Sequence, residues 1–189
     1  DCDSIELCYV DADDDGYRPG SSATVASSDT DRTDSGEATS SDPTTDCDDS
    51  DANDYPGATE TIGNGDDEDC DGGEICYLDN DNDGYRPNAT STRTSSDTDC
   101  NDSREALSSE PTTDCDDSDS SINPGASEIV GDEDDQNCDG TEICYTDVDG
   151  DGYYPSSGST RTSSDLDCDD SGEGDDSTQS GDCDDSYDL

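Results

Sequence analysis

Cys76-Tyr77-Leu78-Asp79-Asn80-Asp81-Asn82-Asp83-Gly84-Tyr85 is the stretch on which the reading of this chain turns. Asp stands at i, i+2 and i+4, and Gly follows the last. Alternate carboxylates in such a run converge on one ion, and the Gly permits the sharp turn, as in the front half of a calcium loop. The stretch recurs at a spacing of 68 residues. It stands earlier as Cys8-Tyr9-Val10-Asp11-Ala12-Asp13-Asp14-Asp15-Gly16-Tyr17 and later as Cys144-Tyr145-Thr146-Asp147-Val148-Asp149-Gly150-Asp151-Gly152-Tyr153. One acidic run in an acidic chain is weak evidence. Three at a fixed period, each framed by Cys-Tyr and Gly-Tyr, are strong evidence.

Composition explains why such a chain needs ions. The formal net charge is −51 over 189 residues, with 57 acids against six Arg and no His. Carboxylates in this excess repel one another and lack basic partners. Apolar side chains are few, with no Phe, Trp or Met. Ordering costs ~1.5 kcal/mol per residue, and so small an apolar inventory cannot offset it. By composition alone the expectation is disorder. Fixed carboxylate positions and 11 cysteines argue otherwise. Ions and disulfides can replace a hydrophobic core. The expected fold is an irregular, loop-rich repeat protein with short β-strands, little regular secondary structure, and stabilisation by Ca2+ and disulfides.

The same features bound location and partners. Cysteines without the Cys and His spacing of zinc sites read as disulfides made outside the cytosol. The first residue is Asp1, which fits removal of a signal peptide. No apolar stretch approaches the ~20 residues that span a bilayer. The acidic surface argues against nucleic acid and anionic lipid as partners. The expectation is a secreted or cell-surface protein.

Aligned on the loops, the chain divides into repeats at 1–69, 70–137 and a partial third at 138–189. Each repeat opens on a short strand, where Leu7 and Tyr9, Ile75 and Tyr77, and Ile143 and Tyr145 alternate on one face and are expected to form what core there is. The loop follows, offering Asp11, Asp13, Asp15 and the Tyr17 carbonyl in the first repeat. The second offers Asp79, Asp81, Asp83 and Tyr85, and the third Asp147, Asp149, Asp151 and Tyr153. Ser22, Thr90 and Gly158 stand where a complete EF-hand needs its bidentate Glu, so other segments must complete the shell. A Ser/Thr-rich stretch leads to a second acidic knot, which includes Asp99 and Asp102, or Asp167 and Asp170. A third knot contains Asp46, Asp48, Asp49 and Asp51, then Asp114, Asp116, Asp117 and Asp119, then Asp182 and Asp184. After Pro56-Gly57 and Pro124-Gly125 come Glu60 and Glu128, then Asp66 and Asp67, or Asp134 and Asp135. These are the expected metal ligands, for several calcium ions. Oxygen donors alone suit calcium.

Tyr-x-Asp-x-Asp-x-Asp-Gly-Tyr, Asp-Cys-Asp-Asp-x-Asp, Pro-Gly-Ala-x-Glu and Asp-Cys-Asp-Gly together resemble the MopE-type metal-binding repeat across the whole chain. More distantly they are similar to the calcium-wrapped type 3 repeats of thrombospondins. The resemblance implies an extracellular, calcium-loaded repeat without enzyme activity. A Cys that usually follows Pro-Gly-Ala-x-Glu in that family is absent here, where Ile62 and Val130 stand.

Two disulfide schemes fit the cysteine positions. One pairs Cys2–Cys8, Cys70–Cys76, Cys138–Cys144, Cys100–Cys115 and Cys168–Cys183. It is favoured because one substitution, Arg32 in the place of Cys100 and Cys168, then leaves one odd thiol, Cys47. The other pairs Cys76–Cys100, Cys144–Cys168, Cys47–Cys70 and Cys115–Cys138, and strands Cys2, Cys8 and Cys183. Asn88-Ala89-Thr90 and Asn101-Asp102-Ser103 are glycan sequons. No nucleophile motif, phosphate loop, His or Lys supports catalysis. Departures at Ser4-Ile5 and Tyr187-Asp188-Leu189, with a third repeat lacking the counterpart of 54–69, raise the expectation of head-to-tail self-association into a filament or longer array. An adhesin stalk, or an acidic module that sequesters calcium or binds mineral, is the alternative.

Overall fold

A computed structural model of the chain describes residues 6–29, 31–32 and 34–183. Ser4-Ile5, Cys2, Asp184 and the Tyr187-Asp188-Leu189 departure lie outside the described residues. Among the described residues there is no helix, and eleven short strands carry the regular structure. They are β1 (Leu7–Asp11), β2 (Thr24–Ala26), β3 (Gly36–Ala38), β4 (Ile75–Leu78), β5 (Thr92–Thr94), β6 (Glu105–Ala106), β7 (Ile143–Asp147), β8 (Tyr153–Pro155), β9 (Thr160–Thr162), β10 (Gly172–Gly174) and β11 (Gln179–Asp182). The loop-rich, short-stranded fold expected from the repeat pattern is what the chain adopts.

The chain forms two compact units. One runs as far as Leu78 and includes Thr90–Ser109; it holds the antiparallel sheets β2-β1-β3 and β5-β4-β6. The other comprises Asp79–Ala89 and the chain from Glu110 on; it holds β10-β7-β9 and the parallel pair β11-β8. The three-stranded sheets share one register. Cys8 faces Val25, Cys76 faces Arg93, and Cys144 faces Arg161.

The buried apolar residues are Cys8, Ala38, Cys76, Cys100, Ala106, Cys144 and Cys168. Cysteine and alanine therefore take the place of a hydrophobic core. This reverses the expected strand face. Leu7 is 67% exposed, whereas its neighbour Cys8 is 1% exposed. Side chains alternate along a strand, so a central cysteine turned inward sends Leu7 and Tyr9 to the other side. In β4 and β7 a disulfide from the inward cysteine closes the sheet from within; β1 keeps the same face around a free thiol.

Two of the four disulfides start from that face, at Cys76 and Cys144. The four are Cys76–Cys100, Cys144–Cys168, Cys47–Cys70 and Cys115–Cys138, with Cα separations of 5.5–5.7 Å. The favoured sequence scheme is thus overturned. Cys47 is bonded, and the free thiols among the described residues are Cys8 and Cys183. Cys76 is inside its sheet while Cys70 sits before a tight turn, so the two point to different partners despite their proximity in sequence.

Two glycines lock the Pro-Gly segments against the sheets. Gly63 N–H donates to the Ile75 carbonyl at 2.9 Å, and the Gly63 carbonyl accepts from Ser108 at 2.7 Å. Gly131 repeats this with Ile143 at 2.9 Å and Asp176 at 2.8 Å. A Cβ on Gly63 would lie 2.8 Å from the Ser108 nitrogen, and one on Gly131 2.8 Å from the Asp176 nitrogen. Both residues also have positive φ, a region that favours glycine.

Candidate metal centres

Each Asp in the first loop divides its two oxygens between backbone and interior. Asp11 Oδ2 accepts the Gly16 N–H at 3.1 Å, Asp13 Oδ1 accepts Asp15 N–H at 3.2 Å, and Asp15 Oδ1 accepts Tyr17 N–H at 2.6 Å. The other oxygens, Asp11 Oδ1, Asp13 Oδ2 and Asp15 Oδ2, are buried without a hydrogen-bond partner. One oxygen from each of the three lies within 4.8 Å of the others. Asp79, Asp81 and Asp83 gather in the same way. Their turn is held by Gly84 N–H on Asp79 at 3.0 Å and Tyr85 N–H on Asp83 at 2.8 Å. In the third loop Asp147 accepts from Gly152 at 3.0 Å and Asp151 from Tyr153 at 2.9 Å.

The backbone after each loop delivers a fourth carboxylate. The buried Arg18 donates its N–H to the Pro43 carbonyl at 2.8 Å and accepts Asp46 N–H at 3.3 Å. This sets Asp46, 8% exposed, beside Asp13 and Asp15, with its Oδ2 buried and without a partner. Arg86 pairs likewise with Pro111 and Asp114, and Asp114 Oδ2 is also buried without a partner. In the third repeat the parallel pairing of β8 with β11 brings Asp182 to Asp149. Position 18 there is Tyr154, which stacks on Tyr145 at 4.1 Å; Arg18 instead lies 4.1 Å over the Tyr9 ring.

Gathering four carboxylates without a counterion is unfavourable, and proton affinity records it. Burial first, then the charges of Asp15, Asp13 and Asp49, push the Asp46 carboxyl to about 6. Burial, then Asp83, Asp114 and Asp79, push Asp81 to about 6. Asp13, Asp114 and Asp149 are raised as well, each first by burial. A bound cation would relieve this repulsion.

Other predicted ligands fall elsewhere. Asp49 and Asp117 buttress the loops by accepting Ala12 N–H at 2.7 Å and Asn80 N–H at 2.5 Å. Asp48, Asp51, Asp116 and Asp119 are exposed and cap turns through Ser50, Asn53, Ser118 and Ser121. Asp66 and Asp134, and the second-knot residues Asp99, Asp102, Asp167 and Asp170, are also exposed. In the first repeat that knot forms its own exposed cluster of Asp29, Asp31 and Asp34.

A second kind of cluster surrounds Glu60. Its oxygens gather with those of Glu68 and Glu74, and with those of Asp67 and Asp69. Glu74 and its counterpart Glu142 are 0% exposed, and one oxygen of each has no hydrogen-bond partner. Sequence reasoning missed Glu68, Glu74 and Glu142. The signal for the last two was present, because Glu recurs at 6, 74 and 142 immediately before each strand.

Residues 46–76 and 114–142 match the Cu-binding_MopE family model, described as "Putative metal-binding motif". Over these two segments the chain is similar to that motif. Each begins at the Asp that completes a loop centre and extends through the Glu60 or Glu128 cluster. No curated protein and no solved structure matches the chain. Copper prefers imidazole and sulfur donors; the chain has neither His nor Met, and the loop and Glu60 clusters contain no cysteine. The inward donors of the matched segments and the loops are carboxylate oxygens, a set that fits a hard, oxygen-seeking cation instead.

Proposed function

We propose that the chain is an extracellular structural repeat protein whose modules are stiffened by calcium and disulfides, with no catalytic role. The observation that carries this is the convergence of buried, unpartnered carboxylate oxygens at the first two loops, from Asp11, Asp13, Asp15 and Asp46 and from Asp81, Asp83 and Asp114. Calcium is the ion of choice because it accepts six to eight oxygen ligands in irregular geometry. The Tyr17, Tyr85 and Tyr153 carbonyls and water complete the shells in this reading. Four disulfides belong with an oxidising compartment. No helix among the described residues is long and apolar enough to cross a membrane.

The test is calcium removal. Excess EGTA should collapse the near-UV circular dichroism of the nine Tyr and open the chain to protease. An unchanged spectrum and digestion pattern would refute the reading. A finer proposal is a head-to-tail filament. The lock at Gly63 and Gly131, where a sheet closes over the preceding Pro-Gly segment, would build an open array if repeated between copies. Asn101, exposed within its sequon, would accept a glycan on such a surface. Electron microscopy with calcium, with EGTA and after deletion of residues 182–189 tests assembly. Monodisperse particles at millimolar calcium would favour the adhesin-stalk or calcium-sequestering alternative.

A further inference from the structure

The Glu60 cluster has a counterpart in the other unit, and the two are not chemically alike. Glu60, Glu68 and Glu74 bring one oxygen each within 4.8 Å of one another. Glu60 Oε2 and Glu74 Oε2 are buried without a partner. Glu128 and Glu142 keep that arrangement, each with a buried, unpartnered Oε2. Between them, however, Gln136 stands in the place of Glu68, and Asn137 in the place of Asp69.

The exchange at Gln136 is compensated in a revealing way. Asn64 Nδ2 donates to Glu68 Oε1 at 2.6 Å. Asp132 occupies the position of Asn64, and Gln136 Nε2 donates to both its oxygens at 3.0 Å. The amide and the acid have changed places. The backbone contact survives too: Glu68 accepts Thr61 N–H at 3.1 Å, and Gln136 accepts Ile129 N–H at 2.9 Å. A merely structural pair needs only the hydrogen bond, which the exchange preserves. What changes is the position of the negative charge. It moves from the buried residue 68 to the half-buried residue 132, which still acts electrostatically on Glu128 and Glu142, while the buried position itself now carries a neutral amide.

We propose that these clusters are two divalent-cation sites of unequal strength. The Glu60–Glu68–Glu74 site offers three carboxylates, and its Glu128–Gln136–Glu142 relative offers two. Ligand charge count tunes the affinity of calcium sites, so the three-carboxylate site fills first as calcium rises. Each site joins a Pro-Gly segment to the sheet that follows it, through Glu74 at β4 and Glu142 at β7. Filling therefore locks the two junctions at different calcium concentrations. The inference rests on the calcium reading above.

Hydrogen–deuterium exchange of the full chain against free calcium tests it. Amides of Thr61 and Gly63 report the first site, those of Ile129 and Gly131 the second, and those of Gly16 and Gly84 the loops. The first junction should become protected at about tenfold lower calcium than the second, an order-of-magnitude expectation for one carboxylate. Asn64→Asp with Glu68→Gln should raise the first midpoint toward the second. Asp132→Asn with Gln136→Glu, which adds a ligand and keeps the hydrogen bond, should lower the second and carries the test if the first pair of changes prevents folding. Coincident midpoints in the parent chain, or midpoints that ignore both exchanges, would overturn the inference. If the loop amides respond to calcium in that case, only the inequality fails. If they do not respond either, the calcium reading fails with it.

Discussion

The first sheet and the second share a register but are closed by different chemistry. In β5-β4-β6, Cys76 is bonded to Cys100, and Arg93 Nε lies 3.5 Å from Glu105. In β2-β1-β3 the counterpart of Cys100 is Arg32, and that of Arg93 is Val25. The guanidinium has moved along the chain. Arg32 pairs with Glu6, while Cys8 remains a buried free thiol. The Arg32–Glu6 pair is about one-third exposed on each side, and ion pairs of that kind contribute about 0–1 kcal/mol. A disulfide closing a separation of 24 residues contributes about 3 kcal/mol. One fold thus tolerates either closure, and the first sheet should lean more heavily on its metal centre.

Metal removal has the largest expected effect and should separate the sheets. In excess EGTA, amides of Leu7–Asp11 should lose protection before those of Ile75–Leu78, because the disulfide still restrains β4. Hydrogen exchange along an EGTA series measures this. Simultaneous loss in both strands would break the comparison.

Covalent closure comes next. Cys76→Ala with Cys100→Ala should cost about 3 kcal/mol and bring the second sheet down to the first, read by urea unfolding in calcium. The reciprocal change, Arg32→Cys, should let Cys8 form the missing bond and raise the denaturation midpoint. Loss of one titratable thiol in the denatured, unreduced protein would report the new bond. If the thiol count does not fall, the two sheets differ by more than one residue.

The fold class was legible in the sequence, because the 68-residue period and the Asp spacing are local signals. So was the approach of the carboxylates in the first two loops: Asp11, Asp13 and Asp15, and Asp79, Asp81 and Asp83, each bring one oxygen within 4.8 Å of the others. The pairing of cysteines was not legible. Cys70 and Cys76 are six positions apart, but a turn and the strand's alternation send them to opposite neighbours. The buried face of β1 was missed for a related reason. Hydropathy favours Leu7, yet an inward cysteine decides the orientation. Glu74 and Glu142 were overlooked because a buried, unpartnered carboxylate contradicts ordinary burial preferences; only the three-dimensional convergence on Glu60 and Glu128 gives them a reason.

Acid should reveal what the two repeats share. The metal-free carboxyls of Asp46 and Asp81 titrate at about 6, above the ordinary 3.8. Between those values the folded chain holds more protons than the unfolded chain. Their contribution to metal-free stability is therefore full below about pH 4 and is lost as pH rises through about 6. With calcium the direction reverses, because protons compete for the same oxygens. Urea midpoints in EGTA should fall from pH 4 to pH 7, while midpoints in calcium should rise. Parallel trends in the two buffers would mean that the ion does not sit among these carboxylates.

The smallest effect concerns the thiol that the first sheet leaves unpaired. Cys8 is 1% exposed, and burial, followed by the hydrogen bond and charge of Glu37, raises its pKa. Cys183 is exposed. Alkylation of the native, calcium-loaded protein with iodoacetamide should therefore modify Cys183 and spare Cys8, and peptide mapping separates the two. In EGTA Cys8 should become reactive as β1 loosens. Cys8→Ala removes one buried sulfur but no crosslink, so it should cost about 1 kcal/mol, at the low end for a large-to-small core change. Cys76→Ala removes the crosslink and leaves Cys100 unpaired in its sheet, and should cost clearly more. Equal costs at the two positions, or equal native labelling of Cys8 and Cys183, would show that the first sheet is not closed around its thiol, and the contrast between the sheets would lose its physical basis.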